Sequence, residues 1–311
     1  MHKILILAPF EKIEAILIYP FLLKVRELYP ESEINLLCKE GQRVYFSFLD
    51  LKIKTYEVPL ADYKLAFMHK YAVNLHDVFN INLYIDLSGE FLGAMIGVFF
   101  RAETKFGYHR DLKSKLMFSK SVEFKDTDSF EKRINSMLSL FEQENLEIYK
   151  TARTEFKRKN SPLKFFFFYE DLLKEKESLL WIDLVNQIYE QEIIFWLDEK
   201  DREEFTSNLN NKSEYFFHMG ELSALQRYFS EVDVVLTDQQ WVLFLCEFLG
   251  TSCFYFKRND IAFEQSGSFT GPFPVITFEE ESILDIIDGG EKKPIKVVDE
   301  VLDFIHDKLK I

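Results

Sequence analysis

Apolar residues form an unbroken run at ILILA (4–8), the pattern of a strand buried on both faces. Beyond it, Ile16, Leu17, Pro20, Phe21 and Leu28 recur at helical spacing until the turn sequence YPES, which predicts a helix over 14–28. Strands follow at EINLLCK (33–39), KIKTYEVP (52–59) and INLYIDLS (81–88), with a helix at 63–79. A second series begins after the polar, basic stretch TARTEFKRKNSP (151–162). Its predicted strands are LKFFFFY (163–169), QEIIFWL (191–197), VDVVLT (232–237) and TSCFYF (251–256), separated by helices. A last helix is predicted at 297–309, and it either completes the second half or packs back on the first. Strands alternating with helices predict an α/β fold of parallel sheets covered on both faces. The economical division is two Rossmann-like, doubly wound domains, 1–155 and 156–311, hinged at the basic linker. Ligands of such sheets lie beyond the carboxyl ends of the strands, so a cleft between the domains is the expected site.

Composition narrows the classes. A formal charge of −14 argues against a nucleic-acid partner, since counterion release requires a basic face. The N-terminal run is broken by Glu11, Lys12 and Glu14, which predicts a strand rather than a signal peptide, and no stretch has the length of a membrane span. Cys38, Cys246 and Cys253 stand at no metal-ligand or redox spacing, which favours buried thiols in a reduced, cytoplasmic setting. The 33 Phe and 14 Tyr supply core, and leave aromatic surface that could rest peripherally on a membrane or a partner.

Three stretches carry candidate chemistry. The corner APFEKIEA (8–15) lacks the glycines with which a strand-to-helix turn grips phosphate, and Pro9 removes a donor. Glu14 in the first helical turn is either a helix-start acid or a general base that takes a proton from a hydroxyl. In FFRAETKFGYHRDLKSKLMFSK (99–120), six cations outnumber Glu103 and Asp111. This reads either as a solvated loop or as one that receives an anion through Lys105, Arg110 and Lys113, with His109 the histidine to test. In the turn after VVLT, Asp238, Gln239 and Gln240 are candidate polar contacts, whereas Trp241 and Phe244 read as core. The six histidines form no cluster at metal-ligand spacing, so no metal site is predicted.

These segments resemble glycosyltransferase family 9, the bacterial heptosyltransferases of the lipopolysaccharide inner core, which have the two-domain GT-B fold. The resemblance spans nearly the whole chain and is carried by ILILAPFEKIEAILIYPFLLKVRELYPESEINLLCKEG, YIDLSGEFLGAMIGVFFRAETKFGYHR and GELSALQRYFSEVDVVLTD followed by FLGTS. It places the family's catalytic Asp on Glu14, counted back from Pro20, and the preceding Gly on Ile13. On the donor side, the family's D-x-G-x-x-H falls on Gln239, Gln240, Trp241, Val242, Leu243 and Phe244, so Asp, Gly and His are all replaced. Its H-P-G falls on Tyr169, Glu170 and Asp171, and its G-P-T on Lys257, Arg258 and Asn259. Acids at 170 and 171 repel a diphosphate, which Lys257 and Arg258 partly offset.

The resemblance implies an inverting, metal-independent transfer from a nucleotide-sugar, which is the donor substrate rather than a cofactor. Glu14 would be the base. Lys105, His109, Arg110 and Lys113 would hold an acidic acceptor, such as a phosphorylated or Kdo-bearing saccharide of the lipopolysaccharide core at the cytoplasmic face of the inner membrane. Asp238, Gln239, Gln240, Lys257 and Arg258 would make up the rearranged donor site. The competing expectation is a pseudoenzyme: a saccharide-binding or scaffold protein of the same fold, paired with an active homologue.

Overall fold

A computed structural model describes residues 2–47, 51–58, 65–75, 78 and 80–141 of the first half. In the second half it describes 164–168, 185–186, 192–196, 206–207, 209, 215–218, 225–237, 239–249, 251–258 and 275–278. Contacts divide the chain into two units, Met1–Ala152 with Gln265–Phe269 and Arg153–Glu264 with Thr270–Ile311. The linker at 151–162 and the closing helix at 297–309 lie outside the described residues.

In the first unit the opening apolar run forms β1 (Lys3–Leu7), and residues 4–8 have no exposed surface. It is flanked by β2 (Glu33–Lys39) and β4 (Leu83–Asp86), both parallel to it. Beyond β2 lies β3 (Ile53–Val58); beyond β4 lie β5 (Thr104–His109) and β6 (Lys120–Glu123). The order is β3-β2-β1-β4-β5-β6, all parallel. The chain therefore winds one way from β1 to β3 and the other way from β4 to β6. The winding reverses between β1 and β4, and the carboxyl ends of these two strands mark the ligand position of such a sheet.

The predicted helix over 14–28 is two helices, α1 (Lys12–Leu17) and α2 (Tyr19–Leu28), which meet at Ile18. Pro20 explains the break: it has no N–H for the fourth carbonyl back and fits only the first turn of a new helix. The supposed basic loop over 99–120 is also regular, containing β5, α6 (Leu112–Lys115) and the start of β6. Within β5 the central Phe106, Gly107 and Tyr108 are buried, while Lys105 and His109 toward its ends are half-buried.

Three further helices, α3 (Arg43–Phe46), α4 (Leu65–Asn74) and α5 (Phe91–Phe99), precede β5. After β6 comes α7 (Phe130–Leu138), whose buried Phe130, Ile134, Met137 and Leu138 lie on one stripe. Helix α5 approaches β4 closely enough for the Tyr84 hydroxyl to donate to the Gly93 carbonyl at 2.7 Å. A β-carbon on Gly93 would lie 2.5 Å from Asp86 Oδ2. A Gly93→Ala variant is expected to lose about 1–3 kcal/mol, read from the midpoint of urea unfolding; an unchanged midpoint would mean that α5 can lift off the strand.

The second unit repeats the winding. Strands β7 (Lys164–Phe168), β8 (Glu192–Trp196) and β9 (Tyr215–His218) run one way, and β10 (Val234–Thr237), β11 (Ser252–Arg258) and β12 (Val275–Phe278) run the other. The order β12-β11-β10-β7-β8-β9 is all parallel and reverses between β7 and β10. Helix α8 (Leu225–Glu231) leads into β10, and α9 (Gln240–Leu249) follows it. All four phenylalanines of β7 are fully buried, and Phe166 packs on Tyr228 of α8 and Trp196 of β8. All three cysteines are free and buried; burial pushes the Cys38 thiol up to about 12, where it is inert.

Candidate active site at the winding reversal of the first sheet

The corner after β1 is held without glycine. Ala8 donates its N–H to the Leu37 carbonyl at 2.9 Å, and the buried Gln42 amide donates to the Phe10 carbonyl at 2.8 Å. Glu11 caps α1 with its backbone alone, which brings Glu14 into the first turn of the helix that follows the carboxyl end of β1.

The Glu14 carboxylate is paired through Oε1 with Nη2 of Arg133 on α7, 119 residues away. Both side chains are largely buried, 22% exposed for Glu14 and 14% for Arg133. The Arg133 guanidinium also lies 4.8 Å from the ring centre of Phe124, just past β6, and 5.3 Å from that of Phe130. Arg110, just past β5, lies 3.9 Å from the same Phe124 centre. Its Nη1 donates to both carboxylate oxygens of Asp126 at 2.9 Å, and its Nε to the Gly89 carbonyl at 3.2 Å. Gly89 sits at φ +69, and a β-carbon there would strike the Phe124 ring at 2.6 Å, so the turn after β4 requires glycine. Two cations thus share one aromatic ring, each with its own carboxylate.

Asp86 ends β4 with no exposed surface. Its Oδ1 accepts from the Ser88 N–H at 2.9 Å and the Ser88 hydroxyl at 2.6 Å, while Oδ2 has no partner among the described residues. Burial pushes this carboxyl up from 3.8 to about 7, against the pull of the Ser88 donors. The buried Tyr108 hydroxyl also lacks a partner among the described residues, and its phenol is pushed up by burial, with Arg133 opposing and Glu14 and Asp86 adding.

Between 3.8 and about 7 the folded protein holds an Asp86 proton that the unfolded chain has released. Stability contributed by this group therefore falls as pH rises through that window and is level above it. Thermal midpoints taken across pH 4 to 8 should decline in this way. An Asp86→Asn variant, which keeps Oδ1 as acceptor for Ser88, should show a flatter curve; identical curves would remove Asp86 as the cause.

The structure separates the predicted acceptor residues. Lys105 lies at the amino end of β5 with its stem near Gly97 of α5, five residues and so about 16 Å along the strand from Arg110. It does not join Arg110 at the carboxyl end. His109 ends β5 half-buried, with Nδ1 lacking a partner among the described residues. Arg110 is committed to Asp126, and Lys113 is exposed on α6.

On the donor side Asp238 lies outside the described residues, as do Glu170 and Asp171. The Gln239 N–H donates to the Thr237 hydroxyl at 3.0 Å, and its carbonyl accepts from Val242 at 3.0 Å, which starts α9. Gln240 is buried at the first position of that helix. Lys257 and Arg258 end β11 in register with Thr277 and Phe278, and their side chains lie outside the described residues. Trp241 and Phe244 are core, as their pattern predicts; the Trp241 ring meets Phe168 edge-on at 5.4 Å.

Sequence reading missed Arg133, Tyr108 and the buried part of Asp86. Asp86 left a signal, a lone acid closing the apolar strand INLYID, whereas Arg133 in FEKRINSML looks like any solvated cation of an amphipathic helix.

No family model and no curated protein matches this sequence. Solved structures do match along nearly the whole chain. A glycosyl transferase family 9 protein from Veillonella parvula superposes with a TM-score of 0.72 at 13% identity, covering 99% of this chain and 97% of that one. The E. coli ADP-heptose lipopolysaccharide heptosyltransferase II gives 0.70 at 14% identity, covering 99% of each chain. The E. coli heptosyltransferase WaaC, solved with ADP-2-deoxy-2-fluoro heptose, gives 0.67 at 12% identity over 98% of this chain and 99% of that one. Two parallel sheets, each reversing its winding beside its first strand, give this chain the GT-B fold shared with the heptosyltransferases of glycosyltransferase family 9.

Proposed function

We propose that this chain transfers a sugar from a nucleotide-sugar to a hydroxyl of an anionic saccharide, with inversion and without a metal. The observation that carries the reading is the position of Glu14 at the winding reversal of the first sheet, with Oε1 fixed by Arg133 and no donor to Oε2 among the described residues. A carboxylate held in this way can take the proton of an acceptor hydroxyl at Oε2 while the hydroxyl oxygen attacks the anomeric carbon. The bond from that carbon to the diphosphate breaks in the same step, and the nucleoside diphosphate leaves. The second unit would hold the nucleotide near the start of α9, through Gln239, Gln240 and Asp238, with Lys257 and Arg258 facing the phosphates.

The solved relatives carry ADP-heptose in their names or an ADP-sugar analogue in their structures, so ADP and ADP-sugars are the first ligands to test. Calorimetric titration of the full chain should give heat with a nucleoside diphosphate and its sugar conjugate. One observation favours a second reading, a saccharide- or protein-binding relative without turnover. Trp241, where the resemblance implies glycine, is 2% exposed and packed on Phe168, so the start of α9 gives its space to core. Absence of heat and of any thermal shift with ADP, UDP, GDP and their sugar conjugates would end the transferase reading in favour of the second.

A further inference from the structure

Leu112 and Leu116 are the most exposed of the large apolar side chains among the described residues, at 71% and 78%. They flank α6 at positions i and i+4, which share one side of a helical turn. The turn is firmly built. Asp111 accepts from the Ser114 N–H and hydroxyl at 2.7 Å each, Ser114 is buried, and Phe118 fills the space beside Gly107. A fold that buries Phe118 two residues later nevertheless leaves both leucines in water.

Apart from the capping Asp111, the charges on this turn are positive. Lys113 and Lys115 are exposed and have no ion pair among the described residues, while the nearest acid, Asp111, is engaged as the helix cap. In a chain of net charge −14, this turn is a local cationic exception. Two leucines and two lysines on one turn fall well short of the roughly 800 Å² per partner that a stable protein interface covers. They fit a bilayer surface, where apolar side chains enter the acyl boundary and lysines meet lipid phosphates. Among the described residues no helix is long and apolar enough to cross a membrane.

We propose that the α6 turn docks this protein on an anionic lipid bilayer, with Leu112 and Leu116 inserted and Lys113 and Lys115 at the headgroups. Since α6 follows directly on Arg110, docking turns the carboxyl end of the first sheet toward the lipid surface. The proposal does not depend on sugar transfer, and its test requires no nucleotide.

The test is co-sedimentation of the full chain with vesicles of phosphatidylcholine alone and of phosphatidylcholine mixed equally with phosphatidylglycerol. Binding is expected on the mixed vesicles and should weaken about fivefold for each of Lys113→Ser and Lys115→Ser. The paired variant Leu112→Ser with Leu116→Ser should lose tenfold or more. All four side chains are exposed, so thermal unfolding should be unchanged in each variant. Equal binding to both vesicle types, or full binding by the leucine variant, overturns the proposal. So does a leucine variant that alters the oligomeric state in sedimentation velocity while vesicle binding stays the same, because the turn would then be a contact between copies.

Discussion

Glu14→Gln is expected to lower turnover by about a hundredfold to ten-thousandfold while leaving the fold intact. The two parts separate because an amide keeps an oxygen where Arg133 finds Oε1, so the contact to α7 survives while the proton acceptor is removed. Nucleotide binding, which belongs to the second unit in the proposed function, should be unaffected. Steady-state kinetics with an ADP-sugar and calorimetry with ADP, run on the same preparation, read both quantities. A variant that keeps full turnover would return Glu14 to the role of a helix-start acid.

Arg133→Met should lower the stability of the first unit by about 2 kcal/mol, the scale of a hydrogen bond to a charged group that is mostly shielded from water. The loss has two sources: Glu14 is left without its cation, and the planar guanidinium that covers Phe124 and Phe130 is exchanged for a flexible thioether. Arg133→Lys separates them, because an ammonium can still reach a carboxylate but cannot lie flat on the rings. The lysine variant should recover less than half of the lost stability in urea unfolding. It should also lower kcat more than it raises KM, since the carboxylate is then held less firmly. A lysine variant equal to the parent in both measurements would show that charge alone matters at this position.

What the sequence discloses and what it hides follow from the reach of each interaction. The first two strands were legible almost to the residue, because burial on both faces leaves an apolar run, unbroken in β1 and interrupted within β2 by the buried Asn35. The break at Ile18 was also present in the sequence, as Pro20, but an apolar stripe that continues past a proline looks like one helix. Over 99–120 the cations dominated the pattern and concealed β5, whose Phe106 and Tyr108 carry the strand signal in alternation. Glu14 could be singled out from the strand-to-helix corner it occupies. Its partner could not, since Arg133 is brought to it by the winding of the sheet, and nothing within a helical turn of Arg133 encodes that meeting. The same holds for Phe124: only the superposed ends of β4, β5 and β6 show why an aromatic stands there.

That ring has a mechanical consequence. Arg110 is anchored at the surface by Asp126, and Arg133 is anchored inside by Glu14, and both rest on Phe124. Replacing Phe124 by a small side chain would therefore take a packing partner from the outer and the inner guanidinium at once.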